Sequence, residues 1–139
     1  MESSSELKKG LLLIVDDEEM NKLILMRRLQ REGYRTIEVS NGALAVEQVR
    51  ALKNEEFPLA VLMDINMPVM DGIEATRILK SEFQNLPIIA VTACVVHPFE
   101  FERYGFDGLC KKPIDFNDLV KKVRLLCPKP FEALPQTSI

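Results

Sequence analysis

Apolar residues along the chain fall into two rhythms. LLLIV (11–15), RTIEV (35–39), LAVLM (59–63), PIIAV (87–91) and the short GLC (108–110) are compact runs that read as strands. Between and after them, apolar positions recur at steps of three and four, which predicts helices over about 19–32, 42–53, 72–82, 98–104 and 115–127. The first, third and fourth strand segments show no polar alternation, as burial on both faces of a helix-covered parallel sheet requires. Strand–helix alternation repeated five times predicts an α/β, doubly wound parallel sheet.

Helix ends carry their own marks. Asn41, Asp71 and Asp115 stand where N-caps belong, with Asp118 in the first turn of the last helix. Pro98 suits a first-turn position, and Gly33 suits the C-terminal cap of the first helix. The last helix sets Phe116, Leu119, Val120, Val123 and Leu126 opposite Lys121, Lys122 and Arg124. The first helix holds more apolar residues than one stripe needs. Ile24, Leu25 and Leu29 are expected on the core, leaving Leu23, Met26 and Met20 outward beside Lys22 and Arg27.

Composition narrows the class without naming a function. The 139 residues suit one domain over 10–127, with a flexible lead-in (1–9) and a tail or truncated linker, PKPFEALPQTSI (128–139). A net charge of −3 gives no general attraction to nucleic acid or an anionic membrane, so neither is expected as a partner. No apolar run approaches the roughly 20 residues of a membrane span. The polar start, MESSSELKKG, lacks a signal-peptide core, so a cytoplasmic location is expected. Cys94, Cys110 and Cys127 lack metal-ligand spacing and read as small core residues in a reducing compartment.

The chemistry gathers at the strand ends. In a doubly wound sheet, ligands sit beyond the carboxyl ends of the strands, where the winding reverses. The first strand is followed by Asp16 and Asp17, the third by Asp64, the fourth by Thr92 and Ala93, and the fifth by Lys111, Lys112 and Pro113. With strand order 2-1-3-4-5, the three acids converge. At about 4 Å and an effective dielectric near 20, each pair of carboxylates repels by about 4 kcal/mol. Such a cluster must hold protons or a cation, and oxygen-only ligands in a small hydrated site suit Mg²⁺. Lys112 adds a compact positive charge and Thr92 a hydroxyl, a set matched to a phosphoryl group under attack by a carboxylate.

These motifs resemble the receiver domain of the bacterial response-regulator family, used in two-component and phosphorelay signalling. The acidic pair after the first strand, DINMPVMDG around Asp64, TA after the fourth strand and KP after the fifth occur in order, and the resemblance covers about residues 10–127. It implies a flavodoxin-like five-stranded parallel sheet, order 2-1-3-4-5, with five helices. It implies that Asp64 takes a phosphoryl group from a phosphohistidine of a histidine kinase or histidine phosphotransfer protein. Mg²⁺ or Mn²⁺ would be the cofactor: Asp17 as the direct acid, Asp16 largely through water, Asp64 as the other carboxylate and Asn66 through its backbone carbonyl. Lys112 would pair with Asp64 before transfer and with phosphate oxygens afterwards. Thr92 would be the switch hydroxyl, the Ala93 methyl would leave room for the phosphoryl group, and Pro113 would follow a cis bond. The outward apolar residues of the first helix would dock the donor, and an unidentified downstream protein would take the output. Such a domain is no enzyme beyond its own phosphorylation and dephosphorylation.

The chain departs from the family at three points. Leu109 stands where the family has Tyr or Phe, so an aromatic relay to Thr92 is not expected. The segment from Thr92 to Lys112 is slightly short, and HPF opens its helix. Cys94 occupies a position that tunes dephosphorylation in the family. His97, the single histidine, precedes a proline in a loop and is expected in solvent without a catalytic role. A stand-alone relay module is the leading expectation, with a domain excised from a hybrid sensor kinase or larger regulator as its variant. A small-molecule phosphatase of the D-x-D type would need an acid where Asn66 stands. A cofactor binder of flavodoxin type would need a phosphate-cradling loop where DDEE stands.

Overall fold

In the computed structural model, residues 9–93 and 98–127 are described, with the side chains of Pro98 and Phe99 left aside. The N-terminal lead-in up to residue 8, Cys94, His97 and the tail 128–139 lie outside the described residues. The elements are β1 (Leu11–Val15), α1 (Glu19–Arg31), β2 (Arg35–Val39), α2 (Gly42–Leu52), β3 (Ala60–Met63), α3 (Gly72–Glu82), β4 (Ile88–Thr92), α4 (Pro98–Arg103), β5 (Gly108–Lys111) and α5 (Phe116–Leu126). All strand pairs are parallel, in the order β2-β1-β3-β4-β5.

Two-sided burial explains why β1, β3 and β4 lack polar positions. On one face Leu12, Ile14, Ala60, Leu62, Ile89 and Val91 pack with Leu25 and Leu29 of α1 and Leu119, Val120 and Val123 of α5. The alternate residues Leu13, Val15, Val61, Met63, Ile88 and Ala90 meet Ala45, Val46 and Val49 of α2 and Ala75 and Leu79 of α3. A polar residue in these strands would have no solvent side to occupy. The edge strand β2 is only half-buried and tolerates Arg35, Thr36 and Glu38.

The helix starts form as their sequence signals predict. Asn41, Asp71 and Asp115 each accept a backbone N–H three residues on, from Leu44, Glu74 and Asp118, each cap adding about 1 kcal/mol. Gly33 takes φ +103° just past α1, where the left-handed turn suits a residue without Cβ. These caps set where each helix begins, and so which loop crosses the carboxyl end of the sheet.

Candidate functional site

Neighbouring strand ends are fastened by backbone bonds before any side chain acts. The Asp64 amide donates to Val15 O at 2.9 Å, and the Asp16 amide donates to Val39 O at 3.1 Å. The acids following β1 and β3 are thereby drawn together, and ligand oxygens of Asp16, Asp17 and Asp64 lie within 4.8 Å of one another. Asp16 and Asp64 are buried, while Asp17 is exposed at the rim. Asp16 also accepts the Glu18 amide at 2.9 Å through Oδ1, and the Ile65 amide bonds to the Asp64 carboxylate.

The fifth strand brings the cation. The Lys112 amide donates to Thr92 O at 3.0 Å, and the Lys112–Pro113 bond is cis. Lys112 Nζ lies 3.0 Å from Asp16 Oδ2 and 3.5 Å from Asp64 Oδ2. Its shorter contact is therefore with Asp16, and it is shared between two acids rather than given to Asp64 alone. Thr92 is buried at the end of β4, and Ala93 is exposed beside it. Asn66 is exposed on the loop after β3.

Burial is the main cause that lifts the Asp64 carboxyl above the ordinary carboxylate value, and the Asp16 charge adds to it. The Lys112 ammonium and the Ile65 amide pull the other way without cancelling it. For Lys112, burial alone would favour the neutral amine. The hydrogen bond that Lys112 donates to Asp16 and the charges of Asp64 and Asp16 outweigh burial and raise its pKa. Three carboxylates held this close, with one ammonium between two of them, form an oxygen-only donor set for a small divalent cation.

Three features escape a pattern reading. The first is the phase of α1. Ile24, expected on the core, is 43% exposed, whereas Lys22, expected outside, is 6% exposed. The buried stripe is Lys22, Leu25 and Leu29, with Leu23 and Met26 half-buried and Met26 packed on the core. Leu25 and Leu29 set the phase, and Lys22 tolerates it because Ser40 Oγ and Glu19 Oε2 accept from its ammonium at 2.6 and 2.9 Å. Met20 and Ile24 are consequently the exposed apolar pair of this helix. The second feature is Gly72, whose sequence context suggests only a helix start. A Cβ there would lie 2.1 Å from Asp64 O and 2.9 Å from Ile65 Cα, so α3 begins pressed against the Asp64 backbone. The third is Val69, 84% exposed in the loop after Asp64, with φ +73°. Leu109 is half-buried in the cluster beneath α2, α3 and α4.

A family model described as a response regulator receiver domain matches residues 12–124. The chain belongs to that family. Among curated relatives, the polar-differentiation response regulator DivK of Brucella anthropi is 32% identical over 117 residues, covering 81% of this chain and 92% of that protein. DivK of Brucella ovis is 31% identical over the same shares. Among solved structures, response regulator TrrA of Thermotoga maritima, in complex with Mg²⁺–BeF, has TM-score 0.76 at 27% identity, over 84% of this chain and 98% of that one. The receiver domain of sensor histidine kinase PA1611 from Pseudomonas aeruginosa, with a magnesium ion in its active-site cleft, has TM-score 0.73 at 28% identity, over 84% and 96%. This receiver domain thus has the flavodoxin-like fold and the phosphoacceptor role of two-component signalling that its motifs imply. Among the described residues, no helix is long and apolar enough to cross a membrane.

Proposed function

We propose that Asp64 of this receiver domain is the phosphoacceptor and that Asp16, Asp17 and Asp64, with the backbone carbonyl of Asn66, hold Mg²⁺ or Mn²⁺. The supporting observation is the convergence of the three carboxylates within 4.8 Å, with Lys112 Nζ at 3.0 and 3.5 Å from two of them. The donor set fits a hard divalent ion, which when bound supplies positive charge against the phosphoryl oxygens. A carboxylate oxygen of Asp64 attacks the phosphorus of a phosphohistidine. The P–N bond breaks as the P–O bond forms, and the imidazole leaves with the bonding electron pair. Lys112, already shared between acids, turns to the transferred phosphate, and the Thr92 hydroxyl donates to it from the end of the adjoining strand. The exposed Ala93 side chain is no larger than a methyl, which leaves space there.

The donor is a histidine kinase or histidine phosphotransfer protein, met in the cytoplasm. Met20 and Ile24, 64% and 43% exposed on the helix that follows the acidic pair, are the contact surface for its apolar helices. A downstream protein reads the phosphorylated form. The chemistry is tested with acetyl phosphate, which needs no protein partner. Mass spectrometry should show one added phosphoryl group on the wild type with Mg²⁺, none after chelation and none on Asp64→Asn. The docking surface is tested by Met20→Ser with Ile24→Ser. Transfer from a phosphorylated donor protein should slow while acetyl phosphate reacts as before. Equal slowing with both donors would remove the docking assignment.

A further inference from the structure

Lys22 occupies a core position on α1 and takes no part in the proposed chemistry. It shares one stripe with Leu25 and Leu29, at the spacing where an apolar side chain belongs, and is 6% exposed. A buried ammonium is costly unless its protons find acceptors. Here Nζ donates to Ser40 Oγ at 2.6 Å and to Glu19 Oε2 at 2.9 Å.

Those two bonds join the places that bound the acidic loop. Ser40 follows directly on β2, next to Val39, whose carbonyl holds the Asp16 amide at 3.1 Å. Glu19 opens α1, directly after the Glu18 amide that donates to Asp16 Oδ1 at 2.9 Å. The loop of Asp16, Asp17 and Glu18 is therefore held upstream by a backbone bond to β2. Downstream it is held by an α1 turn that Lys22 ties to the next residue of the same strand segment. The bond to Glu19 also engages one of the four consecutive acids, 16–19, away from Lys112.

We infer that Lys22 is a positioning residue for the metal pocket: its bond to Ser40 clamps the first turn of α1 to the end of β2 and so holds Asp16 and Asp17 in place for a divalent ion. The inference rests on the metal-binding reading above. It is tested by calorimetric titration of the intact chain with Mg²⁺, at a temperature where every variant is folded by circular dichroism. The variants are Lys22→Met, Ser40→Ala, the two together, and Lys22→Arg. Each of the first two should weaken Mg²⁺ binding by about tenfold, the low end for partners behind metal ligands. The double variant should bind no worse than the weaker single variant, because both remove the Lys22–Ser40 bond. Lys22→Arg, which keeps a donor for Ser40, should recover most of the loss. With acetyl phosphate, the Mg²⁺ concentration for half-maximal phosphorylation should rise while the rate at saturating Mg²⁺ stays at the wild-type value. Unchanged affinity with a lowered melting temperature would reduce Lys22 to a purely structural residue and overturn the inference. Tighter Mg²⁺ binding by Lys22→Met, with Ser40→Ala unaltered, would overturn it too, since Lys22 would then act only as a repelling charge. Additive losses would have the same effect. A folded wild type that takes up no Mg²⁺ would instead sink the metal-binding reading itself.

Discussion

Gly72→Ala is the substitution whose cost is most directly set by the backbone of the site. A Cβ built at Gly72 falls 2.1 Å from Asp64 O, 2.9 Å from Ile65 Cα and 2.9 Å from Met63 Cγ, where real Cβ contacts essentially never come under 3.0 Å. The nearest obstacle is main chain, so no rotamer change relieves it. The start of α3 is also fastened in place, with the Gly72 amide donating to Ile65 O at 2.8 Å and Asp71 capping Glu74. Either α3 lifts off the sheet or the Asp64 peptide moves. Overpacking of this kind costs about 1–3 kcal/mol, and clashing backbone belongs at the upper end. For a chain of this size, about 2–3 kcal/mol corresponds to a fall in melting temperature of roughly 5–12 °C. Because the displaced peptide carries the carboxylate proposed as phosphoacceptor and metal ligand, Mg²⁺ affinity should fall as well, in samples checked to be folded. Gly108→Ala is the internal control. Its Cβ would approach Leu126 Cδ1 at 3.2 Å, the end of a flexible side chain, so a loss under about 1 kcal/mol is expected. Thermal melts and calorimetric Mg²⁺ titration of both variants decide the matter. If Gly72→Ala melts within about 0.5 kcal/mol of wild type and binds Mg²⁺ equally well, close backbone approach does not govern this site.

The Asp64 carboxyl titrates above its ordinary value of 3.8, so its charged form destabilises the metal-free fold at neutral pH. Asp64→Asn should therefore melt higher than wild type at pH 7 in chelator, the gain shrinking as pH falls through the raised folded value and vanishing below the unfolded one. A gain that persisted at pH 3 would contradict this. Saturating Mg²⁺ should raise the wild-type melting temperature, by about 2.7 kcal/mol of stability at one hundred times Kd, and should raise that of Asp64→Asn much less. Val69 holds φ +73° with 84% of its surface exposed, so Val69→Asn removes strain of about 1–2 kcal/mol without losing packing. Its melting temperature should rise by a few degrees. Burial pushes the Cys110 and Cys127 thiols up to about 11, so in a Cys94→Ser background neither should react with a thiol reagent at pH 7 until the protein is denatured.

Element positions were legible from pattern because one physical demand dominates each of them. LLLIV, LAVLM and PIIAV must be strands buried on both faces, and every strand and helix lies within one or two residues of its expected span. The acids and Lys112 were legible for a related reason, since strand ends are where a doubly wound sheet presents chemistry. What pattern left open is set by three-dimensional contact. Helical spacing allows either Ile24 or Lys22 beside Leu25; the phase set by Leu25 and Leu29 buries the lysine, whose ammonium Ser40 and Glu19 accept from. Asp-Gly at 71–72 reads as a helix cap whether or not a peptide lies 2.1 Å from the missing Cβ. The Lys112 contact to Asp16 depends on side-chain direction across the two strands, β3 and β4, that separate β5 from β1, which spacing along the chain does not encode.

The same geometry suits a switch better than a rigid ion store. Among the described residues, three carboxylates face one ammonium, which leaves an excess of two negative charges, two of the acids being buried. Burial, with the Asp16 charge adding to it, raises the Asp64 value, so the fold holds that carboxylate somewhat against its preference. Under the proposed chemistry a cation would relieve the repulsion, and a phosphoryl group would then bring negative charge back to the same point. Each step alters what Lys112 is best placed to neutralise. At rest it is divided between Asp16 at 3.0 Å and Asp64 at 3.5 Å, a shared position with a short path towards either. Thr92 is bonded through its carbonyl to the Lys112 amide, so movement of the lysine towards a phosphate and movement of the Thr92 hydroxyl share one piece of backbone. Leu109, on the same strand as Lys111 and half-buried against the hydrophobic cluster, stands there as an aliphatic side chain that has no ring to swing.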